Sequence, residues 1–297
     1  MDTKSRPLYR SLNSALRERF GCRVQKITLD AGLTCPNRDG KAGRGGCIYC
    51  GPLGSGTGRS SSESITLQLE KGKTALGRRY KAEKFIAYFQ SFSNTYAPLE
   101  QLASLYREAL AVPGIVGLAI GTRPDCMEED VLDHLAELNR KTYISIEYGL
   151  QSVHDSTLKS INRGHTFQDF ICALEKTRRR GIEVCAHIIL GLPGETEEDM
   201  LETARVLATL DVQALKIHLL YVVRHTALHK LYESGGYTCL TREKYAELVC
   251  RVLALLPSTM IIHRLTGDPH PSELVAPLWA LEKQRNLNAI HAALRAR

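Results

Sequence analysis

A chain of 297 residues with 43% hydrophobic and 24% charged residues has room for a large core, which excludes a disordered polymer and a disulfide-stapled miniature scaffold. A net charge of +7 suits a polyanionic partner such as RNA and equally a solvated basic face, while nine cysteines, an odd number widely spread, argue for reduced thiols and a cytoplasmic location. The polar start lacks an apolar signal core, and no stretch approaches the roughly 18 apolar residues of a membrane span, so neither secretion nor membrane insertion is expected.

Residues 7–19 read as a short amphipathic helix, with Leu8, Leu12, Ala15 and Leu16 on one side. The first strand, VQKITL (24–29), feeds a loop, LTCPNRDGKAGRGGCIYCG (33–51), whose Pro, Gly, Asn and Asp content predicts neither helix nor strand. The Gly/Ser-rich run 51–64 reads as a mobile connection. Helices expected at 63–79, 98–111, 128–139, 167–180 and 196–210 then alternate with strands at 85–89, 115–120, 142–148, 183–190 and 214–222. Thr196 is the predicted cap of the fifth of these helices, with Glu197, Glu198 and Asp199 in its first turn, where the helix dipole favours anions. Six strands alternating with helices give parallel βαβ units, α/β in class, closed as a barrel or wound as an open sheet. In either case the site belongs at the C-terminal ends of the strands. Beyond residue 222 the pattern changes to a short helix (226–234), a longer one (241–256), a seventh strand (259–265) and a helical tail (272–297) with Trp279. This divides the chain into an N-terminal helix to residue 23, a βα core over 24–225, and an extension over 226–297 packed on that core.

Chemistry concentrates in Cys35, Cys47 and Cys50, spaced C-x11-C-x2-C. Soft thiolates select zinc, copper(I) or iron–sulfur clusters. A structural zinc site takes four ligands, usually as two such pairs, and no second C-x2-C or C-x2-H pair follows. Three cysteines fit a cubane cluster with one iron left open, the alternatives being zinc completed by a distant residue and a redox dithiol. Tyr49, beside the last cysteine, would pack on such a cluster and exclude water. Cys22, Cys126, Cys172, Cys185, Cys239 and Cys250 are isolated and read mostly as small core residues.

A three-cysteine loop of this form, following the first strand of a βα alternation, resembles the radical S-adenosylmethionine (SAM) superfamily. The segments CPNRDG and GRGGCIYC resemble more narrowly its YhcC/MnmL-type members, relatives of the radical SAM domain of the Elongator catalytic subunit. The resemblance implies a partial (β/α)6 barrel with a helical C-terminal extension, a [4Fe-4S] cluster on Cys35, Cys47 and Cys50, and SAM chelated to the open iron by its amino and carboxylate groups. Where many relatives carry a GGE motif for the ammonium, this chain has Phe89, Gln90 and Ser91, leaving Gln90 as the side-chain acceptor. The stretch SIEYGLQSVHDSTLKSINRGHT (145–166) resembles a signature shared with Elongator and anaerobic coproporphyrinogen oxidase. It implies Glu147 and Gln151 at the ribose or ammonium, and Arg163 on the SAM carboxylate, where a guanidinium fork suits two oxygens. On the residues alone Glu147 reads also as a buried structural carboxylate.

HIILGLPGETEED (187–199) is similar to a segment that packs on adenine, which puts Ile189 and Gly191 at the cofactor and uses Gly191 and Gly194 for close backbone approach. GTRPDC (121–126), the region 216–237 and HRLTGDPHP (263–271) match the same set. Strand alternation puts Lys216 and His218 on one face and Tyr221 on the other; these three are the catalytic candidates, and His187 reads as well as a core histidine.

The function implied is cleavage of SAM to a 5'-deoxyadenosyl radical that modifies the side chain of a tRNA wobble uridine, with tRNA and a flavodoxin- or ferredoxin-type electron donor as partners. With no acetyltransferase domain expected, remodelling of an already modified uridine is favoured over carboxymethylation. The alternatives are a radical SAM enzyme acting on a small molecule and a non-enzymatic, metal-bearing RNA-binding module. Three basic clusters are RNA-contact candidates: Arg17/Arg19/Arg23/Lys26, Lys71/Lys73/Arg78/Arg79/Lys81/Lys84 and Arg178/Arg179/Arg180.

Overall fold

The computed structural model describes residues 8–51, 54 and 63–296, so residues 1–7 and most of the Gly/Ser-rich run lie outside it. Ser11 begins the order: its Oγ accepts from the Ser14 N–H at 3.2 Å and caps α1 (Leu12–Phe20). β1 (Val24–Leu29) leads into the cysteine loop, which contains a four-residue helix, α2 (Pro36–Asp39). This corrects the expectation of a loop free of helix: Pro36 has the fixed φ of a first helical turn and loses no bond there, and Gly40, at φ +97°, ends the turn.

The alternation then runs α3 (Ile65–Tyr80), β2 (Lys84–Phe89), α4 (Leu99–Ala111), β3 (Ile115–Thr122), α5 (Glu129–Asn139) and β4 (Tyr143–Gln151). A short α6 (Asp155–Ser160), absent from the sequence reading, precedes α7 (Phe167–Arg179), β5 (Glu183–Leu190), α8 (Glu197–Thr209) and β6 (Ala214–Leu219). Thr196 caps α8 as expected, in a reciprocal capping box with Asp199. The strand expected over 214–222 is two pieces, because the chain turns after Leu219 and β7 (Val222–Val223) leaves the sheet. α9 (Ala227–Glu233), α10 (Arg242–Leu255), β8 (Ile261–Arg264), β9 (Leu274–Ala276) and α11 (Lys283–Arg295) complete the chain. The tail expected to be helical from 272 therefore opens with β9, which pairs antiparallel with β7.

Seven parallel strands in the order β1-β2-β3-β4-β5-β6-β8 form one curled half-barrel sheet, an α/β architecture with C-terminal helices added. Its outer face, with Ile27, Phe89, Ile120, Ile146, Ile188 and Leu215, packs on the helices and makes the main core. The inner face is apolar at one end, where Val24, Ile86, Tyr88, Ala119 and Tyr143 meet Leu16 of α1. Strands buried on both faces favour unbroken apolar runs, so charged inward residues mark the inside of the barrel. No helix among the described residues is long and apolar enough to cross a membrane.

Parallel topology fixes where the basic clusters lie, because each helix ends beside the start of the next strand. Arg17 and Arg19 end α1, Arg78 and Arg79 end α3, and Arg178 and Arg179 end α7, all at the sheet end opposite the cysteine loop. Several are paired: Arg19 with Glu183, Arg178 with Asp211 at 2.8 Å, and Arg180 with Glu129 at 2.6 Å and Asp133 at 2.7 Å.

Candidate active site

A cavity of about 540 Å³ opens at the C-terminal ends of the strands. Cys35, Cys47 and Cys50 line it together with Gln90, Glu147, Gln151, Arg163, Ile189, Lys216, His218 and Tyr221. Of the residues singled out from the sequence, Gly191 does not line it. Tyr237 donates to the Gly191 carbonyl at 2.9 Å, and a Cβ there would lie 3.1 Å from Leu240 Cδ1, so the close approach at φ +90° is made by the chain itself.

The cysteine loop is tied down from several directions. Arg38 N–H donates to Cys35 O at 2.8 Å, Gly46 N–H to Asn37 O at 2.8 Å, and Cys50 N–H to Cys47 O at 2.9 Å. Between the last two cysteines, Ile48 donates to Ile161 O at 3.1 Å and accepts from Leu228 N–H at 2.8 Å. Asn37, 1% exposed, bonds the Asn162 carbonyl and points Nδ2 at the Cys47 sulfur, 3.7 Å away. At Gly43 a Cβ would fall 2.2 Å from Asn37 Oδ1, so any side chain there would displace Asn37.

Cations face the sulfurs. Arg163 Nη1 is 3.5 Å from Cys47 Sγ, and Arg38 Nη2 is 3.2 Å from Cys50 Sγ. Burial pushes the Cys47 thiol up, but the Arg163 charge and hydrogen bond outweigh it and hold the group below the ordinary thiol range. Burial and the neighbouring Cys47 push Cys50 up. The Tyr49 hydroxyl is buried in the same wall. All nine cysteines are free, and of the six outside the loop Cys172 departs from the expected core position, being exposed on α7.

Arg163 was expected to offer its fork to a carboxylate. Instead Nη2 and Nε bond the Gly149 carbonyl at 2.6 and 3.2 Å, and Nε reaches His165 Nε2 at 3.0 Å. Burial and the Arg163 charge push His165 down to about 3. The sequence reading left Arg123 of GTRPDC without a role. It is 2% exposed, clasped by Asp125 at 2.8 and 2.6 Å, and donates to the Arg163 carbonyl at 2.5 Å. The signal available was an arginine at the end of an otherwise apolar strand.

The floor of the cavity is an ion cluster around Glu147, which is 0% exposed. Lys26 from β1 pairs with Oε1, which His263 Nδ1 faces at 3.6 Å, and His187 and Lys216 reach Oε2 at 2.7 and 3.1 Å. Burial alone would raise this carboxyl, yet Lys216 and Lys26 hold it well below the usual carboxylate range. Both oxygens are thus taken, the arrangement of a buried structural carboxylate. Lys26, read from the sequence as part of a surface basic run, points inward because Val24, Lys26 and Thr28 share one strand face. Lys216 also donates to Tyr88 Oη at 2.8 Å, and burial pushes it down to about 8 despite Glu147. Burial likewise lowers His187 to about 4, His263 to about 3, and His218 well below the ordinary histidine range, so these rings are neutral near pH 7.

Glu147, Cys185 and His263 bring ligand atoms within 4.8 Å of one another, but the lysines on Glu147 oppose a metal ion there. His225 and His229 stand at the H-x3-H spacing of a zinc pair, yet His229 Nδ1 accepts from the His225 N–H at 3.3 Å and Nε2 faces Glu233 at 3.4 Å. Tyr221 shares the cavity with Lys216 and His218, contrary to the expected opposite face, because β6 ends at Leu219 and strand alternation stops with it. Arg264 also lines the cavity and has no hydrogen-bond or ion-pair partner among the described residues.

Residues 38–207 match the family model described as "Radical SAM superfamily", and residues 212–296 match "Radical_SAM C-terminal domain". The chain belongs to the radical SAM superfamily. It is 45% identical to the uncharacterized protein YtqA of Bacillus subtilis (strain 168), over 97% of this chain and 90% of that one. It is 37% identical to protein YhcC of Escherichia coli (strain K12), over 89% and 85%. With Elongator complex protein 3 of Schizosaccharomyces pombe it shares 31% identity over 52% of this chain and 28% of that one. The structure of Methanocaldococcus infernus Elp3 with an N-terminal deletion has the same fold, with a TM-score of 0.65 and 18% identity over 85% of this chain and 58% of that one.

Radical SAM membership makes the protein an enzyme and implies a [4Fe-4S] cluster and SAM. The residues fit. Three cysteines of one loop line the cavity, N–H donors meet the sulfurs of two of them, and the cavity volume lies in the range that holds small cofactors.

Proposed function

We propose that this radical SAM enzyme modifies the side chain of a tRNA wobble uridine, remodelling a substituent already present. The observation that carries the catalytic part is the single cavity in which three loop cysteines face the polar floor of the barrel. Cys35, Cys47 and Cys50 hold the cluster. Gln90 and Gln151 would serve SAM as polar contacts, and Ile189, beside Tyr49 and Leu220, as the apolar ledge. Because the Arg163 guanidinium is already committed, Arg264 is the cation open to a carboxylate, from SAM or from the substrate. When bound, the cluster supplies one electron that cleaves SAM to methionine and a 5'-deoxyadenosyl radical, which takes a hydrogen atom from the substrate. Lys216, His218 and Tyr221 face that substrate, and Lys216 Nζ, near 8, can hold or release a proton.

Support for the RNA substrate comes from the resemblance to the Elongator catalytic subunit and from the net charge of +7. Since the three basic clusters end at the far side of the sheet, RNA contact falls to exposed cations near the cysteine loop, α6 and α9, namely Lys41, Arg44, Lys159 and Arg224. The test is anaerobic reconstitution with iron and sulfide, dithionite reduction, and assay of 5'-deoxyadenosine with a Cys47→Ala control. Nucleoside mass spectrometry of added tRNA follows. SAM cleavage with an altered wobble uridine is the expected result. Cleavage with every tRNA nucleoside unchanged favours a small-molecule substrate, and a colourless zinc protein without cleavage sinks the catalytic reading.

A further inference from the structure

Two guanidinium groups reach two different cysteines of the loop. Arg38 Nη2 is 3.2 Å from Cys50 Sγ, and Arg163 Nη1 is 3.5 Å from Cys47 Sγ. Both are fixed in place. Arg163 is 8% exposed, with its remaining nitrogens held by Gly149 O and His165. Arg38 also bonds the carbonyls of Cys50 and Gly51, and its guanidinium lies 5.2 Å over the Phe92 ring. Behind Arg163 stands Arg123, clasped by Asp125 and donating to the Arg163 carbonyl at 2.5 Å. Holding iron needs the sulfurs alone. Cations pressed on those sulfurs from two separate segments call for another explanation.

We propose that Arg38 and Arg163 set the reduction potential of the cluster held by these cysteines, with Arg123 as a positioning residue for Arg163. The inference rests on the cluster assignment above and on no particular substrate. One electron entering a cluster ligated by three thiolates adds negative charge and breaks no bond. Positive charge and N–H donors at the sulfurs stabilise that added charge, the more so in a buried, poorly screened wall. Both arginines therefore raise the potential and ease reduction by a flavodoxin- or ferredoxin-type donor, or by dithionite in vitro.

The experiment is a potentiometric titration, followed by electron paramagnetic resonance, of the reconstituted full-length protein without SAM. Arg163→Gln and Arg38→Gln are expected to lower the ratio of reduced to oxidised cluster about tenfold at a fixed potential, a midpoint about 59 mV more negative for one electron. Arg163→Lys and Arg38→Lys, which keep charge but lose the fork, shift it less. Arg123→Gln shifts it in the same direction by a smaller amount. Variants with full iron content and the parent midpoint overturn the proposal. Should the variants lose iron, resonance Raman on the unmodified protein decides. Fe–S(Cys) stretching bands that move on exchange into D2O support N–H bonds to sulfur, and unmoved bands overturn them. A parent protein that takes up no cluster overturns the cluster assignment itself.

Discussion

Lys26 on the first strand and Glu147 on the fourth meet inside the barrel as an ion pair whose carboxylate is entirely buried. With Lys216 on the other oxygen, two lysines from opposite sides of the sheet share one counterion. Removing that counterion leaves two buried ammonium groups facing each other. Glu147→Gln is expected to cost about 3–5 kcal/mol in urea unfolding, and Lys26→Met/Glu147→Leu less than the single change. A cost below about 1 kcal/mol for the single variant would mean the lysines find water or other partners.

Acid should loosen this fold early. Unfolded histidines protonate as pH falls through about 6.5, whereas His187 resists to about 4 and His263 and His165 to about 3. Between these limits the unfolded chain binds more protons, so stability falls with pH by about 1.4 kcal/mol per unit per histidine. Glu147 adds to this below 4.5, because a depressed carboxylate pKa gives stability that is complete above the unfolded value and lost on acidification. Urea midpoints at pH 7, 6 and 5 test it; a flat series would contradict neutral buried rings.

Arg264 has no internal partner among the described residues, so its removal should leave the fold intact. Arg264→Gln is expected to weaken one ligand about tenfold, the loss of a charge-assisted contact. A raised Kd for SAM assigns it to the cofactor carboxylate, and a raised substrate KM alone assigns it to the substrate. If neither moves, Arg264 touches no ligand.

A Cβ at position 149 would fall 2.5 Å from Arg163 Nη2 and 2.8 Å from Gln151 Nε2. Both are side-chain ends and not backbone, so Gly149→Ala should fold at a cost of about 1 kcal/mol while displacing the guanidinium from Cys47. The expected signature is a cluster midpoint shifted in the same direction as in Arg163→Gln. An unshifted midpoint would show that Arg163 readjusts.

The order of strands and helices was legible because apolar periodicity is local, and the cysteine trio because Gly and Pro forbid regular structure through most of its loop. What sequence could not give was direction. Lys26 counts as one more basic residue in a run until the strand face it shares with Thr28 is known. Tyr221 changes sides because β6 stops short of it. The commitments of Arg123 and Arg163 depend on contacts with segments far along the chain, which no spacing rule encodes.

Ile48, between Cys47 and Cys50, is hydrogen-bonded on one side to Ile161 and on the other to Leu228. The ligand loop comes early in the chain, yet both of its anchors come late. During synthesis the loop cysteines therefore leave the ribosome long before the helices that anchor them, α6 and α9, exist. The ligand loop accordingly reaches its final shape only after residues 161 and 228 have been made, whatever the order in which its cysteines appear.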